Sequence, residues 1–87
     1  MKPATNYQKQ KAEFLDNLQP DDFRNAGSFN QAEIIIDQLN EALLRNAKNN
    51  KNSAEFIKKA VTHLFRADSL VVAQAINLSQ IFLEENK

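Results

Sequence analysis

Histidine is the side-chain type that most often moves protons near neutral pH, and His63 is the only one in this chain. On a helix its neighbours three and four residues away are Lys59, Ala60, Arg66 and Ala67, none of them a carboxylate or a hydroxyl. Thr62, adjacent in sequence, points about 100° away. A histidine without a partner to orient it is ordinarily a surface or half-buried residue, so no catalytic residue is expected.

Metal chemistry fares little better. There is no cysteine, which removes thiolate sites and disulfides together. Glu33, Asp37 and Glu41 recur every fourth residue and would lie along one helix face. Such a stripe is one side of a di-metal carboxylate bundle, but the Glu-x-x-His steps of those sites are absent. No metal and no cofactor is expected.

The same stripe reads better as a solvated face or an acidic contact stripe. Like charges at this spacing cost a few tenths of a kcal/mol per pair, and Arg45, four residues after Glu41, offsets part of it. Lys51, Lys58, Lys59 and Arg66 place the opposite sign on and before the following helix. The acidic and basic faces can meet within one chain or between two.

The elements that carry these residues follow from periodicity. With one glycine and two prolines in 87 residues, the chain has little material for tight hairpins. Its dominant period is 3.6, so the expected class is all-α, a compact antiparallel bundle of about four helices plus a short helical turn. The expected helices cover residues 6–18, 20–26, 29–47, 53–67 and 69–84, in one domain spanning 1–87.

Thr5 or Asn6 caps the first helix, whose core face is Tyr7, Phe14, Leu15 and Leu18. Pro20, Asp21 and Asp22 make a favourable first turn that ends at Gly27 in the left-handed conformation. Ser28 and Gln31 have the spacing of a capping box for the second helix. That helix is striped by Ala32, Ile35, Ile36, Leu39, Leu43 and Ala47. Residues 48–52 form a polar turn in which asparagine supplies positive φ. Asn52 with Glu55, or Ser53, caps the third helix, which carries Phe56, Ile57, Ala60, Val61, Leu64 and Phe65. Asp68 or Ser69 caps the fourth.

The fourth helix is the least ordinary. Residues 69–83 hold no charge, although 25% of the chain is charged. Val71, Ala75, Leu78 and Phe82 form one apolar stripe, and Val72, Ile76 and Leu83 a second beside it. Together they span roughly 160°, where a helix on one side of a core needs about 100°. This helix is therefore either central or shared with another chain. Ile34 and Leu44 lie off the stripe of the second helix and extend the candidate contact area. The expected protein interface is Ile34, Leu44, Val71, Val72, Ile76, Leu78 and Phe82, with Phe82 as anchor. Gln74, Asn77 and Gln80 form the polar stripe of the same helix, which faces water unless the helix is enclosed.

Residues 39–65, LNEALLRNAKNNKNSAEFIKKAVTHLF, resemble the helical pair of ribbon-helix-helix DNA-binding proteins, with Ser53, Glu55, Phe56, Ile57, Ala60 and Val61 fitting the second helix. The resemblance implies a DNA-reading strand over residues 29–34. That segment, FNQAEI, lacks two-residue alternation and offers no lysine or arginine to the bases. The formal net charge of zero also argues against a protein built on phosphate contacts. In this alternative, a transcriptional regulator, Lys51, Ser53, Lys58 and Lys59 would contact phosphate.

No signal-peptide core opens the sequence, and the apolar stretch near its end falls short of the ~20 residues that span a bilayer. A cytoplasmic location is expected, with no membrane partner and no small-molecule substrate. The function expected on these grounds is non-catalytic: a self-associating protein-binding module of the inhibitor, antitoxin, immunity or chaperone type.

Overall fold

A computed structural model of the protein describes residues 5–47 and 53–86, and in them the chain is all-α. Helix α1 runs over Asn6–Asn17, α2 over Ala32–Ala47, α3 over Ser53–Leu64 and α4 over Val71–Glu85. Two 3-10 segments, Pro20–Asp22 and Ala26–Gln31, join α1 to α2. The helices pack on one another, and the described residues contain no strand, only an isolated bridge between Phe23 and Phe65. No described helix is long and apolar enough to cross a membrane.

Thr5 caps α1 as its residue type suggests, its Oγ1 accepting the Gln8 N–H at 3.1 Å. The link to α2 departs from expectation. Gly27 does not adopt a left-handed backbone, and Ser28 and Gln31 form no capping box. An N-cap needs extended backbone, and residues 26–31 are already wound as a 3-10 helix that runs straight into α2 at Ala32. The cap sits earlier, at the extended Asn25, whose Oδ1 accepts the Gly27 N–H at 3.0 Å. The expected helix over 20–26 shrinks to Pro20–Asp22, closed by the Gln19 N–H donating to Asp22 Oδ2 at 2.9 Å.

Helix α3 stops at Leu64, short of residue 67, because the connector consumes its last carbonyls. The Arg24 N–H donates to Leu64 O at 3.0 Å, the Arg66 N–H to Asp22 O at 2.8 Å, and Arg24 Nε to Thr62 O. The two Arg24 bonds satisfy acceptors that the helix end leaves open, and the Arg66 bond fastens the residue beyond it to the connector. Ser69 serves the start of α4 from just outside it, its Oγ accepting the Val71 N–H and donating to Asp22 Oδ1 at 2.8 Å. The asparagines of residues 48–52, and the caps expected at Asn52 and the Ser53 side chain, lie outside the described residues.

Helix α4 is the central one, packed against α1, α2 and α3. That position accounts for its wide apolar arc. At the heart of the core Phe65 is fully buried, with the Phe23 ring stacked on it at 4.9 Å and Phe14 edge-on at 5.8 Å. Such pairs each add about 0.5–1.5 kcal/mol beyond the area they bury.

Candidate functional site

The polar side chains that the fold draws together belong to α1, α2 and α4. Tyr7 and Lys11 stand one turn apart on α1. Asp37 and Asn40 stand three residues apart on α2, with Glu33 a turn before, so each pair presents one face. The Tyr7 hydroxyl donates to Asp37 Oδ1 at 2.9 Å and accepts from Asn40 Nδ2 at 3.0 Å. Asn40 Oδ1 in turn accepts the Ser79 hydroxyl of α4 at 2.6 Å. Lys11 Nζ lies 3.1 and 3.2 Å from the two Asp37 oxygens and 3.2 Å from Glu33 Oε2. On the other side, the Tyr7 backbone N–H donates to Glu85 Oε2 at 3.0 Å.

The result is a directional chain, Ser79 to Asn40 to Tyr7 to Asp37, in which every donor points toward a carboxylate held by an ammonium. Linked bonds of this sense polarise one another in a low-dielectric interior. Asn40 and Ser79 are almost wholly buried, and the described residues contain no buried side-chain nitrogen or oxygen without a partner. Burial pushes the Tyr7 phenol far above its ordinary value, with Asp37 adding to the rise and the Asn40 bond opposing it. Burial alone would lower the Lys11 ammonium, but the bonds and charges of Asp37 and Glu33 outweigh it and hold it above its ordinary value. Groups pushed further from titration suit holding helices together and do not suit proton transfer near neutrality.

The expected acidic contact stripe is thus divided. Glu33 and Asp37 are tied to Lys11 of α1, while Glu41 is exposed. No group of three potential metal ligands occurs among the described residues. The basic residues on and just after α3 meet none of the acidic stripe: Lys58 and Lys59 are exposed, and Arg66 faces Asp68 at 3.5 Å. His63 is exposed, as are Gln74, Asn77 and Gln80. Lys51 and the Ser53 side chain lie outside the described residues.

Of the seven residues expected at a protein interface, two, Val71 and Leu78, lie inward. Both are buried in the chain's own core, because a central α4 turns that stripe inward. Val72, Ile76 and Phe82 are half-buried and pack against the same core, Phe82 with its ring 4.8 Å from Tyr7. Leu44 is half-buried, and Ile34 is 58% exposed. Among the described residues, the most exposed large apolar one is one the periodicity passed over, Leu70, at 90%. The strand implied by the ribbon-helix-helix resemblance is not there, since residues 29–34 are helical throughout.

The residues that periodicity missed are Lys11, Asn40 and Ser79. Asn40 had a signal: it is a polar residue inside the apolar stripe, between Ile36 and Leu43. Comparison of the chain with protein families, curated proteins and solved structures finds no match.

Proposed function

We propose that this protein is a small non-catalytic binding module that acts through helix-mediated contacts and associates with itself. One observation carries the reading. The central helix α4, uncharged from Val71 to Leu83, is roofed on one side by α1, a polar helix held to α2 by the side-chain bonds of Tyr7 and Lys11 and to α4 by the Tyr7 backbone N–H, which donates to Glu85. This is helix-in-groove recognition made within one chain, with aromatic anchors and a charged clasp. The polar groups that converge in the interior are taken up by that clasp, which leaves contact as the chemistry the fold supports best.

Absolute mass in solution, measured by light scattering over a hundredfold dilution, tests the self-association. The reading expects a species of two or more chains at the concentrated end that gives way to one chain on dilution. A single chain at every concentration would sink self-association and leave only a foreign partner.

A further inference from the structure

The roof over α4 is built to come away as a unit. Helix α1 precedes the other described elements, so its departure pulls none of them with it. Its joint to the rest is Leu18 and Gln19, both extended, followed by Pro20, whose ring keeps Gln19 in that conformation. Beyond the joint the connector is fastened independently of α1. Asp22 holds Ser69, Arg24 holds the end of α3, and Phe23 stacks on Phe65.

The surface α1 covers is specific. Phe82 receives the Tyr7 ring and Phe65 the edge of Phe14. Asn40 and Asp37 take the phenol, and Asp37 with Glu33 takes an ammonium one turn further on. An occupant therefore needs a tyrosine, a lysine four residues later and an aromatic three residues after that, all on one helix face.

We propose that a second copy of this chain supplies that occupant, by exchanging α1 between two protomers. The inference rests on the self-associating reading above and names its interface. An exchanged α1 recovers every contact of the closed form without any new complementary surface, and reciprocal exchange closes as a two-fold dimer. The closed and exchanged forms differ only at the Leu18–Gln19 joint, so concentration during folding sets their ratio.

The test uses the absence of cysteine from the chain. Glu13 and Asn77 line one cleft between α1 and α4, and both are exposed. The variant with Glu13→Cys and Asn77→Cys is refolded from urea when dilute and when concentrated, then bridged with a short bis-maleimide and weighed under denaturing conditions. Gln10→Cys with Gln74→Cys, from the same cleft, replaces the first pair if circular dichroism shows that it has lost helix. Exchange predicts that the bridged product shifts from one chain mass in the dilute sample to mainly two in the concentrated one. A dimer whose bridges stay within single chains overturns the exchange and leaves self-association standing. Failure to form any dimer overturns both.

Discussion

The hydroxyl of Tyr7 donates to Asp37 at 2.9 Å, joining residues 30 positions apart, and the same oxygen accepts from Asn40. One phenol thus ties α1 to two successive turns of α2. Through Asn40 it also reaches Ser79 on α4.

Tyr7→Phe keeps the ring against Phe82 but strands the Asn40 amide and one bond of Asp37. Leaving a buried donor unpaired costs about 1–3 kcal/mol. Urea unfolding should report a loss in that range, with helix content of the folded state unchanged. A variant as stable as the parent would mean that the hydroxyl contributes nothing to holding α1.

Alkali should weaken the fold for a reason that can be signed. Tyr7 and Lys11 both bind their protons more tightly folded than unfolded. As pH climbs past about 10, the unfolded chain sheds these protons while the folded chain keeps them. The stability they add is complete below that point and drains away above it. Urea midpoints should be steady from pH 8 to 9 and fall from pH 10 to 11, and Tyr7→Phe should fall less steeply.

Leu70 and Val71 are adjacent in sequence and opposite in environment, 90% and 7% exposed. Leu70→Asp should change stability by no more than about 0.5 kcal/mol, as surface substitutions do. Val71→Asp places an unpaired charge in the core and should unfold the chain. Far-ultraviolet circular dichroism of the two variants separates the cases, and a folded Val71→Asp protein would place that residue outside the core.

Asp22 accepts three bonds that gather the connector, from the Gln19 N–H, the Ser69 hydroxyl and, at its carbonyl, the Arg66 N–H. Asp22→Ala removes the first two and keeps the third. A loss of about 1–2 kcal/mol, the usual worth of such a cap, should appear in urea unfolding. An unchanged midpoint would mean that the Asp22 side chain adds nothing to the fastening of the connector.

Much of this architecture was legible because burial imposes a period. The stripes of α2 and α3 placed Ile36, Leu43, Ile57 and Val61 in the core, and the structure has them there. The arc of α4 was legible too, but its two explanations carry the same pattern, and only packing chose the central position. The connector was not. A 3-10 helix and an α-helix call for the same residue types over three or four positions, so Ser28 and Gln31 mimic a cap they do not form. Of the polar chain only Asn40 was marked, as a polar residue inside an apolar stripe; its partners Tyr7 and Ser79 meet it only once three helices are docked, and a one-dimensional pattern does not name them.

Tyr7 is the only tyrosine and the chain has no tryptophan, so one spectrum isolates the group at the centre of the account. Its near-ultraviolet phenolate absorbance can be followed through rising pH beside the helical circular dichroism. If the polar chain is a structural clasp, phenolate should appear only as the helices are lost, well above the ordinary tyrosine range. Ionisation near pH 10 with the helices intact would show an open, solvated hydroxyl and contradict it.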